Sequence, residues 1–316
     1  MSQSPAPAVV EQLPGSYRSV PIMKALLYCE WDAALWRAEG IADRRSGQAP
    51  YGLENLAAGS FQITAWQPSM ILRGPLAKRL RLALEFEYSR PFVHSLLLTR
   101  PTPRPDVAIA TLEDQGYAHA LLKSLKLSPW ADIPLVLVSC WMAEHARTAA
   151  DPHFRLLRRI AQAADLIVYW STNQERISRE VLGVAPDRLL FVPFGVEAEF
   201  YRPRPATKPG GYVFTAGRDI GRDYETLFAA AAQLDRPVKV LCRPSRLEGL
   251  NPSANVELVG EVGHREYRDL LWGAEVIALA SKPEYAYPTG QTVLLNAMSV
   301  GRPTVVTAAA PLADYT

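Results

Sequence analysis

The sequence predicts an α/β protein made of two doubly wound halves, each a parallel sheet covered by helices. Three observations carry this. Short β-branched and aromatic runs alternate with helical-period stretches of about ten residues, the pattern of βαβ units. The alternation breaks at Tyr201–Gly211 (YRPRPATKPGG), a stretch of three prolines and two glycines, and restarts at Tyr212. The length of 316 residues suits two domains. The expected organisation is a disordered tail over 1–20, a first domain over 21–200, a linker over 201–211 and a second domain over 212–316. Few contacts between the halves are expected, because linkers of this composition sit at exposed boundaries.

Residues 1–20 are rich in Pro and Ser and lack the basic segment and apolar core of a signal peptide. Ile22–Cys29 (IMKALLYC) reads as the first strand, and no Gly-x-Gly-x-x-Gly fingerprint follows it. A loop at Arg44–Gly52, a helix beginning near Tyr51 and a strand at Phe61–Trp66 come next. Residues 73–104 are basic and apolar together, with Leu76, Leu80 and Leu84 on one helical face. That face is compatible with peripheral contact at a membrane surface. Glu85 and Glu87 dilute the charge, so a surface helix turning its apolar stripe to the core is the favoured reading. Strands follow at Asp106–Ala110, Pro134–Ser139, Asp165–Trp170 and Leu189–Pro193. Helices are expected over Tyr117–Leu125, over Arg155–Ala164 and from Ser171-Thr172-Asn173 onward.

In the second half, Tyr212–Ala216, Val238–Leu241, Val256–Val259 and Val276–Ala280 read as strands. Asp223–Leu234 and Glu266–Leu271 read as helices, with Tyr224, Leu227, Phe228 and Ala231 on one face of the former. The most informative stretch is Glu284–Thr307 (EYAYPTGQTVLLNAMSVGRPTVVT). Pro288, Thr289 and Gly290 are turn chemistry. Gln291–Val300 is helical in period, with Leu294, Leu295 and Met298 able to face a core and Thr292 and Asn296 sharing a polar face. Gly301 and Pro303 end the helix, and Thr304–Thr307 is a buried strand. A helix that starts after a Gly-containing turn offers unpaired N–H groups and a positive dipole end, which suit a phosphate; an ordinary αβ unit has the same outline.

Composition excludes several classes. Apolar residues make up 48% and charged residues 21%, ordinary for a globular protein, and a net charge of +2 gives no global argument for nucleic acid. No apolar run is long enough to span a membrane. Cys29, Cys140 and Cys242 are far apart and read as buried free thiols in a reducing, cytoplasmic setting. The five histidines show no metal-ligand spacing, and no Asp-x-Asp occurs.

Several pieces of the chain from Ala164 onward, in order, carry a resemblance. They are Ala164-Asp165-Leu166-Ile167-Val168 with Ser171, and Pro193-Phe194-Gly195-Val196 with Phe200 and Pro203. Ala216-Gly217-Arg218 with Arg222-Asp223-Tyr224-Glu225-Thr226-Leu227, Val259-Gly260-Glu261-Val262 with Ala274-Glu275-Val276, and Glu284–Thr307 complete the set. Together they resemble the family-4 type of glycosyltransferases, over about 150 residues. The first half matches in its alternation and at Tyr51-Gly52-Leu53.

The resemblance implies the GT-B fold, two Rossmann-like domains facing a cleft, with the second domain incomplete at its C-terminus and the chain a shortened form of a longer enzyme. It implies transfer of a sugar from a nucleotide-sugar donor to a glycan, lipid or small-molecule acceptor, retaining and metal-independent. No cofactor is expected beyond the donor as co-substrate. Arg218, Arg222 and Glu284 are the implied catalytic positions. Gly217, Val262, Gly290, Gln291, Thr292 and Asn296 are the implied donor-binding ones. The departures are Asn296 where the family has Glu, Pro288 where it has an earlier Glu, Gln291 at its Gly, and Arg222 for its Lys. Glu113, His119 and His145 are the acceptor-side candidates in the first half, each first read as a structural group. Two alternatives stay open: an epimerase or hydrolase of nucleotide sugars on the same fold, and an inactive glycosyltransferase-like binding protein.

Overall fold

The computed structural model describes residues 23–28, 61–66, 104–204 and 210–316. The membrane-surface expectation for residues 73–104 therefore falls outside the described residues, save for Arg104, which donates from Nη2 to the Asp132 carbonyl at 2.9 Å.

The first half is a six-stranded parallel sheet in the order β2-β1-β3-β4-β5-β6. Its strands are β1 (Met23–Tyr28), β2 (Phe61–Trp66), β3 (Val107–Ala110), β4 (Leu135–Ser139), β5 (Leu166–Tyr169) and β6 (Leu189–Phe191). Helices α1 (Glu113–Ser124), α2 (Met142–Thr148), α3 (Asp151–Ala163) and α4 (Thr172–Glu180) pack on it. Leu135 and Leu137, alternate residues of β4, are fully buried, as are Ile133, Ile167 and Tyr169 around them. Ser171 caps α4, its hydroxyl accepting from the Gln174 N–H. The periodic reading did not anticipate α2, because seven residues are too few to display a period.

The second half is a five-stranded parallel sheet in the order β11-β10-β7-β8-β9. Its strands are β7 (Tyr212–Ala216), β8 (Val238–Leu241), β9 (Val256–Val259), β10 (Ala274–Leu279) and β11 (Thr304–Val306). Helices α5 (Tyr224–Ala231), α6 (His264–Gly273) and α7 (Gln291–Ser299) cover its two faces. Strand order reverses between β7 and β10, so their carboxyl ends flank a crevice. The expected apolar face of α7 is corrected: Leu294 is buried, but Met298 is 54% exposed, and Val293 and Ala297 fill the core side. The smaller residues let α7 lie close to the sheet, and the flexible Met is left in solvent.

The two sheets share no strand among the described residues. The halves nonetheless touch at several places, against the expectation of sparse contact. The Glu144 carboxylate on α2 accepts from the Ala286 N–H at 2.6 Å, and Arg147 donates to the Glu284 carbonyl at 2.7 Å. Trp141 stacks on Tyr287 at 4.0 Å between ring centres. The Gln291 amide donates to the Trp170 carbonyl at 2.8 Å. Asp314 returns to the start of α4, accepting from the Thr172 N–H at 2.9 Å and its hydroxyl at 2.8 Å. Tyr315 donates to the Trp170 carbonyl and accepts from the Phe194 N–H. These bonds, buried at Glu144–Ala286 and Gln291–Trp170 and exposed at Arg147–Glu284 and Thr172–Asp314, hold an interface that a linker alone does not.

Gly116 shows how closely α1 approaches the first sheet. A Cβ there would stand 2.3 Å from Leu137 Cδ2 and 2.8 Å from Ala110 Cβ. Overpacking costs about 1–3 kcal/mol, and the Ala110 methyl has no rotamer to escape into. Gly116→Ala should therefore lower the urea midpoint even though alanine favours the helix by about 1 kcal/mol. An unchanged or raised midpoint would show that the sheet yields.

Candidate functional site

The loop leaving β7 carries Gly217, Arg218, Asp219, Ile220, Gly221 and Arg222 past the point where strand order reverses. It is fastened there on both sides. The Gly217 N–H donates to the Leu241 carbonyl at 3.0 Å, and Arg222 forms an isolated antiparallel bridge with Ser281 just beyond β10. Asp223 then caps α5, accepting from the Thr226 N–H at 3.0 Å.

Arg222 is the central group. Its side chain is 4% exposed, and Nε donates to Asp219 Oδ2 at 3.3 Å. The guanidinium lies over Gly217, where an added Cβ would fall 2.2 Å from Nε, so a side chain at 217 would expel it. Nη1 points to Gly290 and would be 3.1 Å from a Cβ there. Gly290 has φ +87°, a left-handed conformation suited to glycine, and is the residue from which α7 starts. No side chain caps this helix, so the N–H groups of its first turn remain open. Arg222 Nη1 is itself buried with no hydrogen-bond partner. A buried cationic donor without an acceptor is costly. An anion between Nη1 and the first turn of α7 would satisfy both sets of donors.

Asp219 ties this arrangement together. Oδ1 accepts from the Gly221 N–H at 3.0 Å, the Tyr287 hydroxyl at 2.9 Å and the Thr289 hydroxyl at 2.7 Å. One carboxylate thus joins the loop after β7 to the turn before α7. Burial, reinforced by the Asp219 charge, raises the Tyr287 phenol well above its ordinary range and keeps it a donor. Sequence reading missed Asp219, Tyr287 and Thr289 as site residues, since their value lies in a contact across about seventy residues of chain.

The other expected residues fall in different places. Arg218 is exposed at the rim, its carbonyl accepting from Arg246 Nε at 3.1 Å. Thr292 is exposed in the first turn of α7. The Gln291 side chain is turned away, donating to the Trp170 and Pro311 carbonyls, which leaves its backbone N–H to the site. Asn296 is buried at 3%, its amide 3.4 Å from the Tyr267 hydroxyl of α6, so it does not share an exposed face with Thr292. Val262 is half-buried before α6. The Glu284 side chain is exposed, and it is the backbone carbonyl of this residue that Arg147 holds.

In the first half, Glu113 is a structural group. Its buried carboxylate accepts from the N–H groups of Cys140 at 2.9 Å, Met142 at 2.7 Å and Trp141, closing the start of α2. Burial raises its pKa, and these backbone bonds oppose the rise. His119 is buried between the Tyr28 hydroxyl and the Trp130 carbonyl, each at 3.2 Å. His145 stacks on Trp141, and so borders the contact between the halves. Among the described residues no group of three His, Cys, Asp or Glu is placed to hold a metal ion, and no helix is long and apolar enough to cross a membrane.

No family model matches the chain, and no curated protein does. Solved structures do. The chain resembles HepE from Anabaena in complex with UDP and glucose at 15% identity and TM-score 0.59, covering 93% of this chain and 83% of that one. Sucrose-phosphate synthase from Thermosynechococcus elongatus aligns at 18% identity and TM-score 0.62, covering 92% and 83%. The catalytic domain of starch synthase IV from Arabidopsis thaliana, bound to ADP and acarbose, aligns at 11% identity and TM-score 0.60, covering 93% and 84%. These likenesses support the GT-B fold expected from the sequence.

Burial lowers the pKa of His119 from 6.5 to about 4. The folded state keeps it neutral while the unfolded chain takes up a proton near 6.5. Its contribution, roughly 3 kcal/mol, is therefore complete above about pH 6.5 and is lost as pH falls toward 4. Burial lowers His145 in the same direction, also to about 4. Urea midpoints measured from pH 7 to pH 4.5 should fall, and His119→Gln, which can still bond Tyr28 and Trp130, should flatten the decline. An equal slope in the variant would assign the acid sensitivity elsewhere.

Proposed function

We propose that the chain is a glycosyltransferase of the family-4 type that takes a nucleotide-sugar donor, binding the diphosphate against the second half. One observation carries the reading: the buried, unpartnered Nη1 of Arg222 faces Gly290 and the open first turn of α7 at the crevice between β7 and β10. When the bond from sugar to phosphate breaks, negative charge grows on the leaving phosphate oxygens. A preorganised cation and a helix N-terminus stabilise that charge without having to reorganise. Arg222 supplies the inner charge and exposed Arg218 the outer one. The N–H groups of Gln291 and Thr292 bind oxygen, and Gly217 and Gly290 keep space for close approach.

Asn296 is the ribose-side group of this proposal and contributes a carbonyl acceptor without a charge. Val262 borders the base. Glu284 enters at the mouth, where the two halves meet. The acceptor, a glycan, lipid or small molecule, approaches from the first half, and the reaction proceeds with retention and without a metal. UDP and ADP in the neighbouring structures support a nucleoside diphosphate as the first ligand to test. The chain thereby takes a place in carbohydrate biosynthesis, in the cytoplasm.

Isothermal titration with UDP, ADP and GDP tests the site and names the base. Arg222→Ala should weaken the preferred diphosphate about ten- to a hundredfold, the loss of a charge-assisted bond of about 1.5–3 kcal/mol. Arg222→Lys should recover much of it as a point charge, and a circular dichroism spectrum like the parent's shows that either variant is folded. Arg155→Ala, an exposed position on α3, should bind unchanged. No diphosphate binding by the parent, or equal binding by a folded Arg222→Ala chain, would overturn the assignment.

A further inference from the structure

The crevice between β7 and β10 holds a second buried polar group besides Arg222. Ser281 stands two residues beyond the end of β10, where the chain is still extended enough to bridge to Arg222. The bridge has a defined geometry. The Lys282 N–H donates to the Gly221 carbonyl at 2.8 Å, and the Asp223 N–H donates to the Ala280 carbonyl at 3.1 Å. These bonds flank Arg222 and Ser281 without using either residue, so the two form a non-hydrogen-bonded antiparallel pair. In such a pair the Cα atoms stand about 4.5 Å apart and the side chains leave on the same face.

Alternation gives that face a direction, since successive side chains of an extended chain point to opposite sides. Ile277 and Leu279 pack in the cluster that contains Val293, Leu294 and Ala297 of α7. Ala278 and Ala280 pack on the other side, with Tyr224, Leu227 and Phe228 of α5. Ser281, two residues after Leu279, therefore faces α7, the helix whose open first turn Arg222 Nη1 approaches.

Its hydroxyl is unused. Ser281 is 1% exposed, and among the described residues its Oγ has no hydrogen-bond partner. The backbone of Ser281 is satisfied separately, its N–H donating to Thr307 Oγ1 at 3.1 Å. Asp219, the acid of the facing loop, is turned to Arg222 Nε, Gly221, Tyr287 and Thr289. A buried hydroxyl left unpaired is costly, and this one belongs to the bridge partner of a guanidinium whose Nη1 is in the same condition. Both groups can donate to a ligand that only accepts.

We infer that Ser281 is a further diphosphate-binding residue, whose hydroxyl donates to a phosphate oxygen of the group held by Arg222. This rests on the nucleotide-sugar reading above. A diphosphate presents oxygens on two phosphorus atoms, and so can serve two side chains of different length at once.

The test titrates Ser281→Ala and Ser281→Cys with UDP, ADP and GDP beside the parent. Cysteine keeps nearly the size of serine but is a weak donor. Both variants should weaken the diphosphate that the parent prefers about tenfold, the loss of a bond to a charged group. The urea midpoint of Ser281→Ala without ligand should equal or exceed the parent's, because the hydroxyl removed has no partner there. A lowered midpoint assigns the hydroxyl to the fold and overturns the inference. Equal affinity in either variant, with Arg222→Ala still weakened, also overturns it and leaves the diphosphate site in place. No binding by the parent overturns the site and the part of Ser281 in it together.

Discussion

The arrangement of the second half depends on where the Asp219 carboxylate stands. Two of its interactions lie within its own loop, with Gly221 and Arg222, and two reach the turn before α7, at Tyr287 and Thr289. It supplies two side-chain bonds that join the loop after β7 to the turn that aims the α7 N-terminus. Without them Arg222 would keep its charge but lose its direction. The carboxylate is also what makes a buried guanidinium tolerable, since a fully desolvated cation with no counter-charge would cost several kcal/mol. Asp219 meets only Nε, which leaves the outer face of the fork uncompensated and open to a further anion.

Around this centre the first half acts as a support. The turn before α7 is gripped from α2 by Glu144, Arg147 and Trp141, and the helix itself is pinned through Gln291 to Trp170. α2 is in turn set by Glu113, whose buried carboxylate closes three N–H groups at its start. A chain of contacts therefore runs from the core of the first half to the anion-facing turn of the second. This is how one crevice comes to be built by residues from both halves, although only the second supplies its cation and helix end.

The fold was legible because its signals are local and repeated. All eleven strand expectations lie within two residues of the observed strands, since a parallel strand is a short β-branched run bounded by turns, as Leu135–Ser139 and Val238–Leu241 illustrate. Gly217, Arg222 and Gly290, each expected from local sequence pattern, are placed together by the fold around the Arg222 guanidinium. The partners were not legible in the sequence. Asp219 is an ordinary loop acid until Thr289, seventy residues on, is brought against it. The sides of α7 were also misread, because the period of a nine-residue helix leaves its phase ambiguous: Met298 faces solvent and Asn296 faces Tyr267. The contacts between halves had no sequence signal, since they run largely through backbone groups such as the Ala286 N–H and the Trp170 carbonyl.

The stack of Trp141 on Tyr287 has a thermodynamic meaning beyond packing. One ring belongs to the first half and borders His145; the other donates its hydroxyl to Asp219. Any molecule that settles on the first half and displaces Trp141 must shift the phenol that steadies the counter-ion of Arg222. Affinity at one half would then depend on the occupancy of the other. Linkage requires the dependence to be mutual and equal: whatever factor the first ligand imposes on the second, the second returns to the first. Here that reciprocity would pass through two aromatic rings, since among the described residues the two sheets share no strand.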